Sequence, residues 1–343
     1  MKYDPLFHFK TQVPLRMFPI NSWGRRICNP DQPARDYRTL LRHQLARTPV
    51  ENPITLMVHG AGFSPFSHRA NPQETLFGSR GDSTGEKWAD RAWAMRFAPS
   101  TRNPRDCLAI TYGWHATGDH WTAASNLMDT RTRAEQEAPF LAQLLDSLRQ
   151  IDPARTVNIL CHGMGAHLVL LALSRLTAST VARVVLIDAQ TFDTDALLAL
   201  NRPVTKGISF YNMCNDAAIH TTRWANRILP NAGKLDSLVA FGFAFKRKNW
   251  IDIRTGFEQK SQAKLGWRAG LSNRRHSVAN CHWSGTLPPL ANARMVRILF
   301  QAPRTEIEDL RPKGEATVPL PFRPRNNPLL RDVLYNFGPR LAS

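Results

Sequence analysis

The residues best able to do chemistry lie in short glycine-bearing stretches, each directly after an apolar run. In TVNILCHGMGAHLVLLAL, residues 156–173, β-branched and apolar residues give way to two bracketing glycines and then to a strongly apolar helical segment. A strand, a tight glycine turn and a helix form the frame of a nucleophile elbow, where the pattern small-x-Ser-x-Gly presents a serine hydroxyl for acyl transfer. Gly163 stands where that serine would be. An earlier turn, His59-Gly60-Ala61-Gly62, follows the apolar run ITLMV. Backbone N–H groups at such turns can hold a developing oxyanion. Downstream come Asp188 after RVVLI, Asp216 after ISFYNMCN, and two imidazoles, His276 and His282, in RRHSVANCHWSG. These carboxyl and imidazole groups follow strand candidates or precede the last helix candidate.

These groups need a scaffold that brings distant segments to one place. Five apolar runs, ITLMVHG, CLAITYG, TVNILCHG, RVVLIDA and ISFYNM, are strand candidates with almost no polar alternation, as expected when both faces of a sheet are covered. Between the second and third, WTAASNLMDTRTRAEQEAPFLAQLLDSLRQI places Leu127, Ala134, Ala138, Leu141, Leu145 and Leu148 at helical spacing. Strands alternating with helices predict an α/β fold, a doubly wound and mostly parallel sheet. Ligands of such sheets bind at the carboxyl ends of the strands, where all the stretches above fall. His115 and His120, in YGWHATGDHW, read as polar rim residues of that end.

Outside residues 51–302 the pattern changes. Residues 1–50 read as an extension rich in Pro and Arg with one amphipathic helix, its face made by Tyr37, Leu40, Leu41 and Leu45. Regularity falls off after residue 214 until LPPLANARMVRILF, a closing helix. Residues 303–343 form a proline- and arginine-rich arm, suited to extended packing or self-association. The opening MKYDPLFHFKTQVPLR lacks the pattern of a secretory leader, and no apolar run reaches the ~18 residues of a membrane span, so a cytoplasmic protein is expected. A net charge of +18 favours nonspecific attraction to polyanions, but no nucleic-acid-binding motif accompanies it and a solvated basic face is the simpler reading.

Five widely spaced cysteines without a CxxC give no disulfide framework. Cys161 reads as a small buried hydrophobe rather than a nucleophile. The dipeptide Cys-His occurs twice, at Cys161-His162 and Cys281-His282, and four such groups would suit zinc. Neighbours in an extended segment point to opposite sides, however, so no metal is expected. GMGAHL after a strand also permits dinucleotide binding, with Asp188 on a ribose, but Leu168 replaces the third glycine and the interval to the acid is long. No cofactor is expected.

Taken in order, LMVHGAGFSP, VNILCHGMGAHLVLLAL, YNMCND and CHWSG resemble the α/β-hydrolase superfamily, and within it serine esterases and lipases of bacterial type. The resemblance implies an oxyanion hole from the N–H groups of Ala61 and Met164, supported by His59, Gly60, His162 and Gly165. It implies Asp216 as the acid and His282 as the general base, with Asp188 and His276 as alternatives. The departure is Gly163: glycine adopts the elbow's backbone conformation easily but offers no attacking oxygen. The expectation is therefore an ester hydrolase by lineage, acting on a small-molecule ester weakly or through water, or having lost activity. The alternative is a non-catalytic binding or assembly protein on the same fold.

Overall fold

Runs of apolar residues that bury both faces become the central strands, and helices close over them. The structure, a computed structural model, describes residues 16–23, 26–78, 93, 97, 107–117, 123–214, 225–229, 237–243, 247–254 and 290–303. In chain order the described strands are β1 (Arg16–Trp23), β2 (Arg26–Cys28), β3 (Ile54–Val58), β4 (Leu108–Gly113), β5 (Val157–His162), β6 (Val181–Ile187), β7 (Ser209–Cys214) and β8 (Trp250–Arg254). The helices are α1 (Tyr37–Ala46), α2 (Pro72–Thr75), α3 (Ala123–Ile151), α4 (Met164–Ser174), α5 (Asp193–Leu200) and α6 (Leu290–Gln301). They build one eight-stranded sheet in the order β2-β1-β4-β3-β5-β6-β7-β8. Every pairing is parallel except β1 with β2.

The period-2 geometry of a strand sends alternate residues to opposite faces, and here both faces are core. Along β6, Val184 and Leu186 join one apolar cluster while Val185 and Ile187 join the other. The first cluster takes in the buried faces of α1, α3, α4 and α5; the second takes in Met295, Val296, Leu299 and Phe300 of α6, with Phe77, Trp93 and Phe97. The chain is thus doubly wound, and all five expected strands and the four expected helices are present. Leu127, Ala134, Ala138, Leu141, Leu145 and Leu148 of α3 are buried, as are Tyr37, Leu40, Leu41 and Leu45 of α1. No described helix is long and apolar enough to cross a membrane.

Three strands carry no periodic signal. Residues 16–28, read as part of an extension with a single helix, contribute β1 and β2 to the same sheet. Asn21 and Ser22 of β1 are buried despite their polarity, and Pro19 interrupts the run. Pro19 falls where β1 has only β4 beside it, since β2 pairs with Asn21 to Trp23 alone; proline is tolerated at such edges. A buried glutamine compensates for the polar residues: Gln73 Nε2 donates to the Ile20 carbonyl (3.1 Å), Asn21 Oδ1 (3.0 Å) and the Thr111 carbonyl (3.1 Å). Strand β8 is hidden similarly by Asp252 at its centre. That carboxylate accepts from Asn212 Nδ2 (2.7 Å), Trp250 Nε1 (2.9 Å) and the Phe243 N–H (2.9 Å).

Arg155 ties the N-terminal region to the sheet's helical face. Only 3% exposed, its guanidinium donates to Asp152 Oδ2 (2.8 Å) and to the carbonyls of Pro49 (2.7 Å), Thr48 (2.8 Å) and Leu45 (3.3 Å). Arg155→Met keeps the aliphatic stem but leaves these carbonyls without their donor. A loss of about 2–4 kcal/mol in urea-unfolding stability is expected; a change under 0.5 kcal/mol would contradict this role.

Candidate active site

The tips of β3, β5 and β6 meet through their backbones, and glycine makes that possible. Gly163 is the N-cap of α4, with φ 52° and ψ −121°. This left-handed turn lets the chain leave β5 and enter the helix within one residue. On one side of it, a Cβ on Gly60 would lie 2.8 Å from His162 Nδ1 and 2.9 Å from the His162 carbonyl oxygen. On the other, a Cβ on Gly165 would come within 2.9 Å of the Val58 carbonyl oxygen and collide with that of His59. The β3 turn therefore lies directly on the first turn of α4. Strand β6 is stitched to the same corner: the Gly163 N–H donates to the Ile187 carbonyl (2.9 Å), and the Gln190 N–H donates to the Gly163 carbonyl (3.0 Å).

His59 holds the β3 turn. Its Nδ1 lies 2.8 Å from the Gly60 carbonyl oxygen, which can only accept, so Nδ1 carries the proton. Nε2 in turn accepts from the Trp114 N–H at 3.1 Å, while Trp114 Nε1 donates to the His59 carbonyl at 2.9 Å. The two rings stack with centroids 5.7 Å apart. Burial pushes the imidazole pKa down to about 4, against the partial support of its two backbone partners. A neutral ring with both nitrogens engaged supports the turn and is not available as a base. Beyond it, neither the Ala61 nor the Met164 N–H donates to an acceptor among the described residues.

Of the other expected groups, Asp188 is buried at the β6 tip and has φ 47°, the single non-glycine residue at positive φ among those described. An L-residue there costs roughly 1–2 kcal/mol, and such strain concentrates at functional sites. Its N–H donates to the Met213 carbonyl at 3.1 Å, joining it to β7. His162 is buried beside Trp93, ring centroids 6.2 Å apart. Cys161 faces the opposite side, in the core, where burial pushes its thiol far up from the ordinary range; it is a packing residue. Asp216, His276, His282 and His120 lie outside the described residues.

Two imidazole arrangements went unread in the sequence. His115 Nδ1 lies 2.8 Å from Ser64 Oγ, a distance suited to a serine and its base. Arg133 Nη1 contacts Nε2, however, and guanidinium only donates, so Nδ1 carries the proton and donates to Ser64. This pair braces the rim and does not activate the serine. Behind the elbow, His167 of α4 is buried with Nδ1 3.1 Å from Thr191 Oγ1. Glu135 and Asp195 lie 3.8 and 3.7 Å from its nitrogens, and Arg131 bridges both carboxylates at 3.5 and 2.8 Å. Burial lowers the His167 pKa despite the acids nearby. The sequence singles out His115 as a rim residue but not its partners, and does not single out His167, because each pairs with a residue on another element.

Two consequences are measurable. Gly165→Ala forces the Cβ against the β3 carbonyls, and a loss of about 1–3 kcal/mol in chemical-denaturation stability is expected. His59, with a folded pKa near 4 against an ordinary 6.5, binds its proton in the unfolded chain first. Its contribution is complete above pH 6.5 and is lost as pH falls toward 4, on the order of 3 kcal/mol; His167 acts in the same direction. His59→Leu should flatten this part of the pH–stability curve, and an unchanged slope would refute the assignment.

Residues 75–217 match the family model described as alpha/beta hydrolase, a span that runs from α2 through β7 and includes the elbow. No curated protein matches the chain. Among solved structures, one described as the gene lin2722 products from Listeria innocua is 10% identical, covers 60% of this chain and 84% of its own, and has a TM-score of 0.34. The doubly wound parallel sheet and the strand-turn-helix corner at Gly163 agree with this match, and the chain has an α/β-hydrolase fold.

Proposed function

We propose that the chain is an ester hydrolase by lineage that works, where it turns over, by activating water in place of a serine. The observation that carries this reading is the elbow at Gly163: φ 52°, backbone packed on the His59–Gly62 turn, and two nearby N–H groups, of Ala61 and Met164, without acceptors among the described residues. In this reading a small-molecule ester enters above Gly163 with its carbonyl oxygen toward those amides. His282, oriented by Asp216, takes a proton from water as the water oxygen attacks the acyl carbon; Asp188 is the alternative acid and His276 the alternative base. The tetrahedral oxyanion is held by the Ala61 and Met164 N–H groups. Its collapse expels the alkoxide, which leaves as alcohol with the proton from the imidazolium, so ester and water give acid and alcohol.

Without a nucleophilic side chain there is no acyl-enzyme. Serine hydrolases stripped of one triad member retain ~10³–10⁴-fold catalysis over water from the oxyanion hole and binding. The same absence favours a second reading, in which the pocket binds a small molecule without turning it over. A p-nitrophenyl ester series distinguishes them on the whole chain. The water route predicts hydrolysis above the buffer rate with no burst, insensitivity to serine-directed organophosphates, and a fall of about 10²-fold or more in His282→Ala. No hydrolysis by a folded chain, with saturable ester binding retained, selects the binding reading.

A further inference from the structure

The side chain of Gln190 borders the volume that a residue at 163 would fill. Its backbone is fixed first, by the N–H bond to the Gly163 carbonyl at 3.0 Å. Thr191 clamps the same segment from behind: its carbonyl accepts from the Val239 N–H at 2.9 Å, and its hydroxyl meets His167 Nδ1 at 3.1 Å. With the main chain so held, Gln190 Oε1 and Cδ lie 3.7 and 3.8 Å from where a Cβ on Gly163 would stand. The next nearest atom is the bare Cα of Gly60, at 3.9 Å. A Cβ fits there in ordinary contact, so the space is preserved. A hydroxyl one bond further out, in the rotamer turned toward Gln190, would come within the ~2.5–3.0 Å of an O–H···O hydrogen bond to the amide oxygen.

We propose that Gln190 is the positioning residue of the nucleophile space, its amide oxygen accepting a proton from whichever oxygen occupies the volume above Gly163. In this chain that oxygen belongs to water, which gives one proton to the general base on attack and points the other at Gln190. A serine placed at 163 meets the same acceptor. Its proton is then directed to an amide that cannot remove it, and away from the imidazole that can. Loss of the nucleophile is thus a two-residue state, glycine at 163 with glutamine at 190, and restoring serine alone leaves the hydroxyl diverted. The inference rests on the reading of residue 163 as the nucleophile position.

Fluorophosphonate labelling of the full chain, followed by intact mass, tests it without knowledge of the natural ester. In this reaction serine Oγ bonds to phosphorus, fluoride leaves and the proton passes to the base. The variants are Gly163→Ser alone and combined with Gln190→Met, which keeps side-chain volume, or with Gln190→Ala. Both double variants should label about tenfold faster than the single one, the rate equivalent of ~1.4 kcal/mol. Damage to the fold lowers a labelling rate, so a gain reports the amide itself. Labelling of Gly163→Ser as fast as, or faster than, the doubles overturns the role of Gln190 and leaves the hydrolase reading standing. No labelling in any of the three, with melting temperatures unchanged, overturns both.

Discussion

The structure depends on backbone lying against backbone where β3 ends and α4 begins. Two side chains are missing for that reason, at Gly60 and Gly165, and a third position, Gly163, turns the chain through a left-handed conformation. The carbonyls of Val58, His59 and His162, together with the His162 ring, fill the space where a Cβ on Gly60 or Gly165 would stand. The approach holds the two turns at a fixed relative height, because close-packed backbone has little room to absorb a shift. Strand β6 then joins through the pair of hydrogen bonds on either side of Gly163. The corner is over-determined, which explains how it persists without any contribution from a side chain at 163.

Strain is distributed unevenly around this corner. A serine at φ 52° would carry the Cβ penalty of the left-handed region, roughly 1–2 kcal/mol, and glycine removes it. Asp188 keeps the same kind of strain two strand tips away from β3, at φ 47°, with its Cβ present. The contrast separates two kinds of position. At 163 glycine carries neither Cβ strain nor a side-chain group. At 188 it retains strain together with a buried carboxyl-bearing side chain, which is the pattern that stability alone would eliminate. The polar groups behind the corner add to its rigidity: Arg131, Glu135, His167 and Asp195 link α3, α4 and α5 beneath the segment that carries Asp188 and Gln190.

What the sequence made legible was what periodicity and glycine can encode. The strands β3 to β7 are continuous apolar runs, the buried faces of α1 and α3 follow helical spacing, and HGAG and CHGMG mark turns at the correct ends of strands. What it hid are the elements whose polar residues are satisfied from far away. β1 is stabilised by Gln73, more than fifty residues along, and β8 by the contacts of Asp252 with Asn212 and Trp250. The same holds at the site. His59 could be read as a support for its turn because its partner is its neighbour, Gly60, whereas the Trp114 bond joins two strands. Gln190 sits in no motif. It follows the tip of β6 by three residues, and a search of strand tips that continues past the first carboxylate would have reached it.

In the proposed reading of residue 163, fold and reactivity come apart at a single residue. The forces that shape the elbow are steric and backbone-borne, so they are met as well by glycine as by serine, and better in energy. Reactivity would need an oxygen, an imidazole and an acceptor geometry that favours transfer between them. The first is absent from the chain at 163, and the amide of Gln190 occupies the vicinity where that oxygen's proton would be directed. The fold follows from the first set of constraints alone. Activity is decided by the second, which involves few residues and little of the folding energy, and it is there that two chains with the same sheet and the same elbow can differ entirely in what they do.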